Sequence, residues 1–130
     1  MSVDPILVYD FETSNLPLYR EPSADPNQPH IVAVAEKLID QNNHKVLQTI
    51  DLVVRPDGGE SSPEAQAVHQ IDPVLAKTYG VPEEQAIKAL ISLWQGRLRT
   101  AYNESFDSRI ARIAIKRFIS NEVADGWKLS

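Results

Sequence analysis

The sequence predicts a mixed α/β domain, a sheet with helices packed on it, from three features. A short, uniformly apolar run near the N-terminus, Ile6-Leu7-Val8-Tyr9, has the composition of a strand buried on both faces. Two runs with strand character follow, separated by turn residues. The second half then changes to helical spacing, interrupted by one more short strand.

The first strand leads into Asp10-Phe11-Glu12 and is expected at the centre of the sheet, being the most uniformly apolar. Asn15 through Pro29 holds Pro17, Pro22, Pro26 and Pro29 among polar residues and reads as a loop. Ile31 to Ile39 and Val46 to Val54 are the second and third strands. The turn residues Asp40-Gln41-Asn42-Asn43-His44 between them predict an antiparallel hairpin. Pro56-Asp57-Gly58-Gly59 ends the third strand.

Pro63 through His69 suits a short helix, and Ile71 through Tyr79 another, opened by Asp72 as N-cap and Pro73 at the first position. A stronger helix opens at Pro82-Glu83-Glu84 and runs to about Gln95, with Ala86, Ile87, Leu90, Ile91 and Trp94 on one stripe. Gly96 marks its end. Leu98 to Tyr102 is a short strand. Ser105 is the expected cap of a helix reaching about Phe118, with Phe106, Ile110, Ile113 and Ala114 facing the core. Asp125-Gly126 reads as a turn, and Trp127-Lys128-Leu129-Ser130 as the start of a further element.

The 130 residues suit one domain, and 42% hydrophobic content is enough for a packed core. Without cysteine there is no disulfide scaffold and no thiol or cysteine–zinc chemistry. No signal-peptide pattern or transmembrane-length run is present, so a cytoplasmic protein with no membrane partner is expected. The net charge of −5 lacks the basic signature of many nucleic-acid binders. Bound divalent ions can reverse the field of an acidic site. Arg97, Arg99, Arg109, Arg112, Lys116 and Arg117 form a basic stretch that suits phosphates or a solvated helix face equally well.

Strand alternation points Asp10 and Glu12 the same way, at the end of an apolar strand. Two neighbouring carboxylates there repel and lose hydration, and a hard divalent cation removes that penalty. Two solvated acids at a strand terminus would look the same in sequence. Asp107, in the first turn of the helix after the fourth strand, changes the balance. A strand end and a helix start would bring it towards Asp10 and Glu12, although a first-turn acid also stabilises a helix by itself.

Val8-Tyr9-Asp10-Phe11-Glu12-Thr13 resembles the first motif of DEDD 3′–5′ exonucleases, the group that includes the proofreading subunit of bacterial replicative polymerase. Tyr102-Asn103-Glu104-Ser105-Phe106-Asp107 is similar to their second motif, Asn-x-x-Phe-Asp. Ala65-Gln66-Ala67-Val68-His69-Gln70-Ile71 resembles the family's Ala-x-x-Val-His-Gly-Ile stretch, and Pro29-His30-Ile31-Val32 with a strand ending at Asp40 is also typical. The four occur in order across nearly the whole chain.

The resemblance implies a ribonuclease H-like mixed sheet flanked by helices. It implies hydrolysis assisted by two ions, Mg2+ or Mn2+, about 4 Å apart. Asp10, Glu12 and Asp107 would be catalytic metal ligands, and Thr13 would lie beside the terminal nucleotide. Asn103 would hold the strand-to-helix turn, and Phe106 would anchor Asp107 near the substrate. The implied substrates are single-stranded DNA or RNA 3′ ends, in DNA replication or repair. The implied partners are a DNA polymerase or a second copy of the chain.

The family's third motif, a His or Tyr before a fourth acid, has no match after Asp107. Residues 1–130 are therefore expected to be the N-terminal portion of such a domain, lacking its C-terminal strand and helix, and weak or inactive alone. His30, His44 and His69 read as surface or structural residues, Trp94 as core and Tyr19 as an exposed loop residue. The alternative function is a catalytically incomplete module of the same fold that binds single-stranded nucleic acid or a polymerase. A ribonuclease H-like enzyme cutting internally is a third possibility, against which the Asn-x-x-Phe-Asp stretch speaks.

Overall fold

The computed structural model describes residues 2–130. Strands β1 (Pro5–Thr13), β2 (Ile31–Asp40) and β3 (Val46–Val53) are followed by helices α1 (Pro63–His69), α2 (Pro73–Tyr79) and α3 (Glu83–Trp94). Strand β4 (Arg99–Thr100) and helices α4 (Glu104–Phe118) and α5 (Asn121–Leu129) complete the chain. The sheet order is β3-β2-β1-β4, which makes β1 an interior strand as its composition required. β1 and β2 pair antiparallel, as do β2 and β3, whereas β4 runs parallel to β1. The sheet is mixed and flanked by helices, as expected.

The core lies on one face. Leu7, Tyr9 and Phe11 of β1 are buried there with Val34 and Leu38 of β2, Ile87 and Leu90 of α3, and Ile110 and Ile113 of α4. On the opposite face Val8 is half-buried, and Asp10, Ala35 and Lys37 are exposed. The expectation that β1 is buried on both faces therefore holds for one face only. The 15–29 loop is ordered by Gln28, whose buried amide accepts from Leu18 N at 2.9 Å and donates to the Pro22 carbonyl at 3.0 Å.

Three local expectations are corrected. The fourth strand is only Arg99–Thr100, since pairing with β1 is confined to Leu7 and Val8. Ser105 does not cap α4, which starts at Glu104 with Asn103 at the N-cap. The C-terminal segment is neither a turn at Asp125-Gly126 nor a new element at Trp127, because 121–129 is one helix. Ser120 caps it, accepting from Val123 N. Its Ala124 and Trp127 are fully buried in the core cluster. Burying an indole contributes more than the roughly 1 kcal/mol that a helical glycine costs.

Candidate active site

β1 and the start of α4 build the site. Asp10 is exposed and Glu12 half-buried at the end of β1, with buried Phe11 between them pointing to the core. Both acids line one shallow depression on the open face of the sheet, together with Asp51 of β3. A register shift between Glu12 and Thr13 breaks the regular pairing with β2 beside them. Such irregularities re-aim side chains where a strand leaves its ladder.

Asp107 reaches the same strand end from α4. It is 1% exposed, and its Oδ1 accepts the Phe11 amide N–H at 3.0 Å. The short β4 pairs only with Leu7 and Val8, so this carboxylate satisfies a strand amide beyond the reach of β4. The Asp107 carboxyl is raised to about 6, chiefly by burial, against the lowering effect of the Phe11 N–H. The charges of Asp10, Glu104 and Glu12 contribute to that rise. Burial, then the charge of Asp10, also raises Glu12. Asp10 and Glu12 thus both act on Asp107, and Asp10 acts on Glu12.

Among the described residues, no three His, Cys, Asp or Glu side chains stand close enough to hold a metal ion between them. The donor chemistry nevertheless fits a hard cation. All three groups offer carboxylate oxygens, and the burial and repulsion that raise Asp107 and Glu12 are what a divalent ion relieves.

A cleft of about 410 Å³ opens beside these acids. Glu12, Thr13 and Leu16 line one side, Ala65 and Val68 of α1 the other, with Phe11 and Phe106. Thr13 lines this cleft, and its hydroxyl is committed to the Asn15 carbonyl at 2.8 Å. Phe106 is half-buried against the core and lines this cleft rather than sitting within the core. Asn103 lies exposed at the turn, where its carbonyl accepts Asp107 N at 2.9 Å and its side-chain Oδ1 accepts from Ser105 Oγ at 3.4 Å.

The histidines play other parts. His30 Nδ1 lies 2.6 Å from Glu83 Oε1. His69 Nδ1 accepts from Ile71 N at 3.0 Å, so Nε2 carries the proton and donates to Ser61 Oγ at 2.9 Å. Burial lowers the His69 pKa, which keeps this loop-holding ring neutral. Tyr19 is exposed, with the Arg109 guanidinium 5.7 Å from its ring centre, and Trp94 is in the core.

Sequence reasoning missed two acids. Glu104 is a wildcard position within the second motif, and its role needs Tyr9, 95 residues away in the chain, brought against it. Glu36 sits in a strand of otherwise ordinary alternation, yet it is 1% exposed with neither carboxylate oxygen hydrogen-bonded.

No protein-family model matches the chain, and no curated protein matches it. Solved structures do. Escherichia coli exonuclease I in complex with a dT13 oligonucleotide superposes with a TM-score of 0.77 at 20% identity, covering 95% of this chain and 25% of that one. The chain has the fold of the matched quarter of exonuclease I. The zinc-bound form of the E. coli exonuclease I–single-stranded DNA complex gives 0.77 at 20% identity over 97% of this chain and 26% of that one. Exonuclease I of Methylocaldum szegediense gives 0.72 at 22% identity, covering 88% and 24%. The chain thus spans about a quarter of the length of the exonuclease I structures it matches.

Proposed function

We propose that this chain supplies the carboxylate end of a metal-dependent 3′–5′ exonuclease that hydrolyses single-stranded nucleic acid to nucleoside 5′-monophosphates. The observation that carries this is that Asp10 and Glu12 both repel the buried Asp107, with Glu12 on the rim of an apolar cleft. The exonuclease I fold, solved with single-stranded DNA in its relatives, supports it.

Divalent ions, Mg2+ or Mn2+, would be held by Asp10, Glu12 and Asp107, lowering the pKa of a water and stabilising the leaving 3′ oxygen. The chain's own contribution is placement. Asp107 is fixed against the β1 backbone, so the acids keep their spacing without waiting for the ion. Thr13, Leu16, Val68 and Phe106 offer an apolar slot beside Glu12 that suits the terminal nucleoside. None of His30, His44 and His69 hydrogen-bonds to the three acids, and a general base is assigned to none of them.

The test is manganese-dependent release of mononucleotides from 3′-labelled single-stranded DNA and RNA, with manganese affinity measured in parallel. Ion binding and release that both disappear in Asp10→Ala support the proposal. Salt-sensitive strand binding that survives chelation, with no release, would instead establish a nucleic-acid-binding module of the same fold. Release dependent on a polymerase or on dimer formation would add one of the implied partners.

A further inference from the structure

We infer that Tyr9 and Glu104 are positioning residues that hold Asp107 in register with Asp10 and Glu12. The geometry stands by itself; the consequence for metal binding rests on the function proposed above.

α4 lacks the usual local device for fixing a helix start. Asn103, at the N-cap, makes no side-chain cap hydrogen bond. The helix is instead held to β1 by two of its own acids. Glu104 Oε2 accepts the Tyr9 hydroxyl at 2.7 Å, and Asp107 Oδ1 accepts the Phe11 amide at 3.0 Å. Residues three apart on a helix share a face, so both carboxylates point at the strand together. They grip it two residues apart, on either side of Asp10. Sliding or rolling of α4 on β1 must break one bond or strain the other.

The outer grip is braced. The Arg99 side chain, 7% exposed, donates Nε to Glu104 Oε1 at 3.2 Å. Its guanidinium lies 3.7 Å above the ring of Trp127. Trp127 in turn donates Nε1 to the Ser108 carbonyl at 3.1 Å, one residue past Asp107. Tyr9 is buried, with its hydroxyl committed as a donor to Glu104. Glu104 therefore acts through Tyr9, as the anchor of the helix that delivers Asp107.

The test is amide hydrogen exchange by NMR in Tyr9→Phe and in Glu104→Ala, with manganese affinity measured on the same samples. The Phe11 amide reports the Asp107 bond directly, and the Leu7 amide, bonded to the Leu98 carbonyl at 2.9 Å, is the internal control. Phe11 exchange is expected to quicken on the order of tenfold while Leu7 is unchanged. Manganese affinity is expected to fall roughly 10- to 100-fold, as for outer residues that orient metal ligands. Glu104→Gln, whose amide oxygen still accepts from Tyr9, should recover most of the protection. Unchanged Phe11 exchange in both variants overturns the inference, and so does faster exchange with unaltered manganese affinity. A wild-type chain that binds no manganese would sink the proposed function and leave the Phe11 amide to decide this inference alone.

Discussion

The Asp107 carboxylate takes the place of a missing strand partner for Phe11, accepting its amide N–H at 3.0 Å from the first turn of α4. A single side chain thereby satisfies the Phe11 amide and presents a buried acid to the field of Asp10 and Glu12. The two tasks separate on substitution. In Asp107→Asn the amide oxygen still accepts from Phe11, and the repelling charge is gone. Without metal at pH 7, this variant should be as stable as the wild type or more so, by up to about 2 kcal/mol. The rise in melting temperature on adding manganese should disappear. Thermal melts with and without manganese check both.

The same carboxyl sets a pH dependence. Its folded-state pKa of about 6 lies above the ordinary 3.8, so the native state holds the proton more tightly than the unfolded chain. Its contribution to stability therefore falls as pH rises from about 3.8 to about 6 and stays low above that. Manganese competes with that proton. Stabilisation by a fixed manganese concentration should be clearly larger at pH 7 than at pH 5, as read from melting temperatures.

Glu36 predicts a second slope in a higher window. Burial, then the charge of Asp51, raises its carboxyl to about 7, and neither oxygen finds a partner. The folded pKa again exceeds the unfolded one, so stability is lost as pH climbs from about 4.5 to about 7. Glu36→Gln should remove this slope, a difference on the order of 3 kcal/mol at pH 8 before the amide's own burial is counted. Denaturant titrations of both proteins at pH 5 and pH 8 give the answer. Parallel pH dependence in the two would show that Glu36 is not the titrating group.

Trp127 tests the C-terminal helix. Its ring is fully buried, packed edge-on against Tyr9 at 5.5 Å and Trp94 at 5.1 Å. Trp127→Ala should cost about 3–5 kcal/mol, the range for emptying a large aromatic site. A loss below 1 kcal/mol in denaturant unfolding would mean that α5 does not dock.

The apolar cleft predicts a binding phenotype without a metal phenotype. Ala65→Trp places an indole in the space between α1 and the Glu12–Leu16 segment. Single-stranded oligonucleotide affinity, measured by fluorescence anisotropy, should fall at least about tenfold, with manganese affinity unchanged. Equal oligonucleotide affinity would move the nucleoside slot elsewhere.

Much of this architecture was legible in the chain. β1, the β2–β3 hairpin, and the capped helices α1 and α2 follow from local signals: an apolar run, a turn cluster, and Ser62 and Asp72 accepting from Ala65 N and Val74 N. That Asp10 and Glu12 share a face at the end of β1, and that Asp107 falls in the first turn of α4, was legible because strand alternation and the strand-to-helix order are local patterns. The C-terminal helix was not. Gly126 is a local breaker, and only the core pocket formed by Tyr9 and Trp94 outweighs it at Trp127.

By itself the sequence determined the α/β class and the interior place of β1. Periodicity and turn chemistry act over a few residues and survive without tertiary context. The tertiary structure alone decided that Asp107 would be buried on Phe11, that Glu104 would reach Tyr9, and that Glu36 would lie unpaired in the core. Each of these depends on the field and packing of segments far apart in the chain. Charge and burial are properties of that assembled neighbourhood, not of the residue type.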